Sequence, residues 1–422
     1  MQKFIALMEK YVVPVAGKIG SQRHLAAIRD GFIAVMPLII VGSIAILVNG
    51  LPIDGFQNFM ESVFGDTWKL IGENMWTGSY AILALMVTIT TSCNLAKSYD
   101  VDGLSAGIIS FGALIILTPT TAKEVGIDFL WTGAQGLFVA LIVALPVTEI
   151  FRFLVQKNIT FKMPSGVPPA VMKSFAALVS SFYHFTASIQ LAVTLAGTSI
   201  YEFIFNKIQV PLQNLSGTLP SAIIVVLLVH VLWFFGLHGQ NIVGGIIEPL
   251  YLPALQKNMD LFQSGTSAFD GPNIITKPLF DMFVYIVGTG STLAFLVVVI
   301  IVAKSAQLRG ISRLSIAPGI FNINEPVIFG TPIVLNPMLF IPFVLTPIVL
   351  VITSYTAISF GWVPKTVAMV PWTMPPIISG YLGTGGHITG AILQAFNFTL
   401  AMAIYFPFVV ASDRSISHVE KS

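Results

Sequence analysis

Long apolar runs alternate with short polar ones along almost the whole chain. About 20 apolar residues in a helix cover the hydrocarbon core of a bilayer. Runs at 31–48, 78–96, 104–121, 130–151, 175–197, 221–235, 283–303, 334–354 and 388–410 each predict a crossing helix. Three further stretches, 237–278, 316–337 and 361–386, are apolar but interrupted by Gly, Pro and ionisable residues. With these included, the pattern predicts an all-α polytopic membrane protein of about ten crossings.

Polar segments give the direction of the crossings, because short cytoplasmic loops collect Lys and Arg. Residues 1–30 carry Lys3, Lys10, Lys18, Arg23 and Arg29 without a continuous apolar core. They read as an amphipathic helix on the cytoplasmic surface, with Phe4, Ile5, Met8, Tyr11 and Val12 towards lipid, and not as a cleavable signal. The next loop sets Asp54, Glu61, Asp66 and Glu73 against Lys69, which suits the outside. Arg152, Lys157, Lys162 and Lys173 return the chain to the inside, where Lys304, Arg309, Arg313, Arg414 and Lys421 also belong. Both termini are therefore expected in the cytoplasm. A polar, proline-rich stretch at 157–169 divides the chain, and nearly all interrupted segments follow it. Residues 201–216 read as an amphipathic connector, so that 31–200 and 217–412 form two transmembrane units.

Composition supports the membrane reading. Of 422 residues, 55% are hydrophobic and 9% charged, against about 25% charged in soluble proteins. A net charge of +2 gives no reason to expect nucleic acid. The one cysteine, Cys93, lies in an apolar run and can build neither a disulfide framework nor a cysteine metal site. No metal or cofactor is expected, and no metalloprotease, hydrolase-elbow or P-loop motif is present.

Irregular backbone at membrane depth survives only where protein or a wet cavity surrounds it, and in transporters it commonly marks the substrate site. Two stretches have that character. One runs Trp233-Phe-Phe-Gly236-Leu-His238-Gly239-Gln240-Asn241, and the other Asn322-Ile-Asn324-Glu325-Pro-Val-Ile-Phe-Gly330. Ionisable groups inside a membrane are costly and mark function by default, which singles out His238 and Glu325. Amides, an imidazole and a carboxylate complement hydroxyls that both donate and accept, while Trp233 and Trp372 offer flat faces to a sugar ring. His387, in the glycine-rich turn 383–390, is a further candidate. Blander roles exist for each: His238 could cap a helix, Glu325 could pair with Arg313 or Lys304, Asn241 and Asn324 could cap broken helices, and the tryptophans could anchor the interface. His184 and His230 read as structural. Glu248 and Asp281 are possible extra acidic groups, but no acidic ladder of an ion-coupled site is visible.

The run 322–330, together with Phe235-Gly-Leu-His238-Gly, resembles the enzyme IIC component of the phosphotransferase system, in its lactose/cellobiose (diacetylchitobiose) branch. Residues 163–169, 332–337 and 4–30 carry the likeness further, from near the start to about 414. The resemblance implies a homodimer in the bacterial cell membrane, with an N-terminal interface domain and a C-terminal substrate domain containing two re-entrant hairpins. It implies a β-linked disaccharide of cellobiose, diacetylchitobiose or lactose type, taken from outside. A separate, phosphorylated cytoplasmic IIB subunit carrying phosphocysteine then phosphorylates its 6-hydroxyl. His238 and Glu325 match the family's His and Glu near that hydroxyl, with His238 the favoured proton acceptor and the reverse nearly as good. Gly236, Gly239, Gln240, Asn241 and Asn324 are expected to help bind the sugar, together with Trp233, Trp372 and His387. An ion-coupled secondary transporter of a sugar or other small polar solute is the alternative that composition leaves open.

Overall fold

The computed structural model describes residues 14, 18–19, 21–51, 53–65, 67–119, 127–157, 190, 199–286, 288–331, 333 and 337–419. Among them the fold is all helical and contains no strand. Of the predicted surface helix at 1–30, residues 23–30 form the start of the long helix Arg23–Gly50 instead, and most of the rest lies outside the described residues, as do nearly all of the crossing at 175–197 and the divide at 157–169.

The first half holds α1 (Arg23–Gly50), α2 (Asp54–Phe64), α3 (Lys69–Thr77), α4 (Leu83–Lys97), α5 (Gly103–Leu117) and α6 (Leu137–Gln156). Their starts follow capping chemistry: the Gln22 side chain accepts from Leu25 N, and Asp102 accepts from Ser105 N. Helix α4 packs on α1, α5 and α6, around a core that includes Ala84, Ala106, Leu114, Val139 and Tyr201. Segment α7 (Ile200–Ser216) contains a π turn at Phe205–Gln209 and meets α8 (Leu219–Phe234) at 79°.

The second half holds α9 (Gly239–Gln263), helical turns at Lys277–Leu279 and Phe280–Val284, and α10 (Thr292–Val302). It continues with α11 (Ala306–Ile320), α12 (Glu325–Gly330), α13 (Pro337–Ser359), α14 (Ile378–Gly383) and α15 (Ile388–Val419). One large core, from Ala222 to Val409, ties these together. A smaller core joins the halves, with Leu252, Leu255, Met259 and Met369 packing among Phe32, Ile39 and Leu83. Among the described residues six helices are long and apolar enough to cross a membrane, or seven if the bent pair α7–α8 is one span.

The structure corrects one expectation. The stretch 237–278 is not broken throughout, because α9 runs 25 residues without interruption despite Pro249 and Pro253. Each proline deletes one helical hydrogen bond. Protein packs α9 on both sides, which keeps the helix intact. Its first half lies so close to α1 that a Cβ at Gly245 would come within 2.7 Å of the Leu25 carbonyl oxygen. Only glycine permits that approach.

Candidate functional site

Two turns with the same construction define the site. Helix α8 ends with Gly236 in the left-handed region, φ +74°. Gly236 N donates to Trp233 O at 2.9 Å, and Leu237 N donates to Leu232 O at 3.0 Å. This is a Schellman-type stop, and it explains the glycine. One residue later His238 caps α9, its Nδ1 accepting from Asn241 N at 3.2 Å. Helix α11 stops in the same way, with Asn322 at φ +63° as the left-handed residue and Ile323 N donating to Pro318 O at 3.1 Å. Helix α12 then begins at Glu325.

Trp233 joins the two turns. Its ring centroid lies 4.4 Å from that of His238 and 6.3 Å from that of Phe329, which sits on α12 one turn after Glu325. The Glu325 carboxylate is near enough for its charge to act on the His238 imidazole, and Arg29 acts on the same ring in the opposite sense. Trp233 is 2% exposed, and its Nε1 has no hydrogen-bond partner among the described residues. Glu325 is exposed and His238 partly so. The capping bond fixes the tautomer of His238. A ring nitrogen that accepts an amide hydrogen carries no proton, so a neutral imidazole here holds its proton on Nε2 and donates from it.

The third interrupted stretch completes the arrangement. Residues 363–371 run without helix, and the Trp372 carbonyl accepts from Asn322 Nδ2, which also reaches Met374 O at 3.4 Å. Two interrupted segments thus meet through Asn322, whose Oδ1 is buried and has no partner among the described residues. Trp372 itself is 56% exposed.

The remaining candidates divide. Gly239 is buried, and a Cβ there would sit 2.1 Å from Val229 O, so its role is close packing of α9 on α8. Gln240 and Asn241 occupy the first turn of α9, with Asn241 exposed. Asn324 is buried and donates from Nδ2 to Thr289 O at 2.9 Å, seating the α11–α12 turn on a third break at Gly288–Ser291. His387 is not brought to this cluster. It lies edge-on to Phe269, 4.9 Å away, beside a cavity of about 530 Å³ that Phe262 also lines. Phe262 follows His238 by 24 residues, or about 36 Å along a helix axis.

Several polar groups that hold this backbone escaped the sequence reading. Buried Gln394 accepts from Ile377 N at 2.7 Å and Gly380 N at 2.8 Å, and donates to Met282 O at 2.8 Å. Asn397 donates to Phe283 O at 2.9 Å. His230, fully buried, accepts from Gly290 N at 2.9 Å and contacts Val226 O at 2.7 Å, a structural role as expected. Lys277 ties Asp281 at 2.6 Å and Glu248 at 3.6 Å into one partly buried ionic group. A single amide in an apolar helix gives no signal until the broken segment it serves is known. Among the described residues no group of three His, Cys, Asp or Glu could hold a metal ion.

Comparison with known proteins fits this geometry. The family model "Phosphotransferase system, EIIC" matches residues 29–347. The chain is 46% identical to the PTS system cellobiose-specific EIIC component of Geobacillus stearothermophilus, over 100% of this chain and 97% of that protein. It is 42% identical to the lichenan permease IIC component of Bacillus subtilis (strain 168), over 98% and 94%. The crystal structure of ChbC, the IIC component from the N,N'-diacetylchitobiose-specific phosphotransferase system, superposes with a TM-score of 0.93 at 43% identity, covering 99% of each chain. The chain is therefore a membrane protein that belongs to the phosphotransferase system EIIC family.

Proposed function

We propose that this protein carries a β-linked disaccharide, of the cellobiose or diacetylchitobiose type, across the bacterial cell membrane. It presents the sugar's 6-hydroxyl for phosphorylation by a cytoplasmic phosphocysteine-bearing IIB subunit. The observation that carries this reading is the gathering of His238, Trp233 and the Glu325-bearing turn at one end of α9. Orphaned polar atoms nearby, Trp233 Nε1 and Asn322 Oδ1, are the kind that sugar hydroxyls satisfy. The relatives' names supply the substrate class.

The capping bond of His238 supports a division of labour opposite to the one favoured by sequence. Glu325 accepts the proton of the 6-hydroxyl as its oxygen attacks phosphorus. The P–S bond of the phosphocysteine breaks, and the sulfur leaves as thiolate. His238 donates from Nε2 to the oxygen or to the transferring phosphoryl group, and so orients the acceptor. Trp233, Gly236, Gln240 and Asn241 shape the wall around it, and Trp372 covers it from the second tip.

In this reading α11–α12 and 361–386 are re-entrant hairpins that enter from opposite sides, among about ten crossings. Residues 31–200 form the homodimer interface, 217–412 move as the transport unit, and α7 is the linker between them. Both termini face the cytoplasm. Reconstituted liposomes test the function directly. Cellobiose uptake that needs phosphorylated IIB and yields sugar phosphate inside supports it. Uptake of unmodified sugar driven by a proton or sodium gradient would refute it in favour of a secondary transporter.

A further inference from the structure

The opposite end of α9 holds a second cavity that the transfer site does not use. It encloses about 430 Å³ between α7 and the turn at Ala134–Gly136 on one side and Pro253–Asp260, Pro272–Ile275 and Tyr355 on the other. Its lining is unusual for so apolar a chain. Six residues with carboxamide side chains line it, Gln135, Gln209, Gln213, Asn214, Gln256 and Asn273. The only charged residues among the lining are Lys257 and Asp260, one of each sign. From His238 to Gln256 is 18 residues of one helix, or about 27 Å. A ligand here cannot touch the transfer site.

Part of the lining is committed to structure. Gln256 Oε1 accepts from Ala134 N at 2.8 Å, and Asn273 Nδ2 donates to Ala254 O at 3.0 Å. Gln209 is different. It is 1% exposed, its Nε2 reaches Ala134 O at only 3.4 Å, and its Oε1 is buried with no partner. It sits on the π turn of α7, the irregularity that turns it out of the helical register. A buried carbonyl oxygen left unpaired costs about 1–3 kcal/mol, so such a group is kept where something else pairs with it.

We propose that this cavity is a second saccharide site, which holds a neutral polyhydroxylated ligand at the end of the bundle remote from phosphorylation. The volume lies within the range of small-molecule pockets. Amides both donate and accept, as hydroxyls do, and the balanced charge of the lining gives no preference for an ion. Because the walls come from the linker and from the second half, occupancy here reports on how the two lie together. The proposal rests on the sugar-transport reading and goes beyond it.

Equilibrium binding of radiolabelled cellobiose to the detergent-purified full chain tests it. Two classes of site per chain are expected in the native protein. Gln209→Leu and Gln213→Leu should each weaken one class by about tenfold, the effect of one lost hydrogen bond in a buried site. The other class, and phosphorylation at saturating sugar, should stay unchanged. Gln213 makes no side-chain hydrogen bond among the described residues, which guards against a folding artefact in Gln209→Leu. A single class in the native protein, or two classes unaffected by both substitutions, overturns the second site and leaves the transfer site standing. Absence of binding for cellobiose and for diacetylchitobiose alike overturns the transport reading, and this proposal with it.

Discussion

The proposed mechanism gives His238 two separable jobs, and substitution can part them. Its Nδ1 caps α9 by accepting from Asn241 N at 3.2 Å, while in that mechanism its Nε2 donates to the sugar. Replacing it by Ala removes both. Loss of an N-cap side chain costs about 1 kcal/mol, within a range of roughly 0.5–2. For a chain of this size that lowers Tm by about 2–4 °C or less. Asn is as good a cap as nature uses, so His238→Asn should restore the native Tm to within about 1 °C. It cannot place an imidazole N–H at the reacting oxygen. Removal of one preorganised donor of this kind costs roughly 100-fold to 1,000-fold in rate. The expected pattern is therefore a lowered Tm for His238→Ala alone, and a phosphorylation rate lowered by about 100-fold or more in both variants. Thermal melting in detergent and a single-turnover assay with phosphorylated IIB and cellobiose would read the two effects separately. If His238→Asn recovers rate as well as Tm, the histidine is only a cap. If His238→Ala melts like the native protein, the capping bond is wrong and the Nε2 tautomer argument falls with it.

Three further outcomes follow from the same geometry. Glu325→Gln keeps the shape of the side chain and removes its basicity, so phosphorylation should fall about 100-fold to 10,000-fold while cellobiose affinity changes by less than about tenfold; an equal loss in both would assign Glu325 to binding alone. Asn322→Ala leaves the Trp372 and Met374 carbonyls without their donor, at about 1–3 kcal/mol, and should raise amide exchange across 361–386 without altering exchange in α4; unchanged exchange would mean the tips are not joined there. Gly245→Ala must move α1 from α9, since its Cβ would lie 2.7 Å from Leu25 O, and should destabilise the protein by about 1–3 kcal/mol in a melt; a native Tm would show that the helices are further apart.

The two site turns were legible because their signals are local. Gly236 and Asn322 terminate helices, and His238 and Glu325 are ionisable groups among apolar neighbours, so composition and spacing alone marked both places. Helix α9 was not legible as a continuous helix. Pro249, Pro253, Glu248 and Asp260 all argue for a break in isolation. What overrides them is tertiary: Lys277 neutralises Glu248, and α1 packs along one side. His387 shows the converse case. Its glycine-rich turn has the composition of a site residue, yet the fold sets it against Phe269 beside a separate cavity, while Trp372 meets Asn322. The anchoring amides Gln394 and Asn397 carry no periodic or motif signal at all, because their meaning lies in the carbonyls and amides of segments more than a dozen residues away.

The central claim is that His238 and Glu325 address one hydroxyl within a common chamber. A structure of the full chain with bound cellobiose tests it most directly. The expected result places one terminal 6-hydroxyl about 2.6–3.2 Å from both His238 Nε2 and a Glu325 carboxylate oxygen, with a sugar ring against Trp233 or Trp372. A disaccharide ordered elsewhere, with neither side chain within hydrogen-bond reach of that hydroxyl, would contradict it.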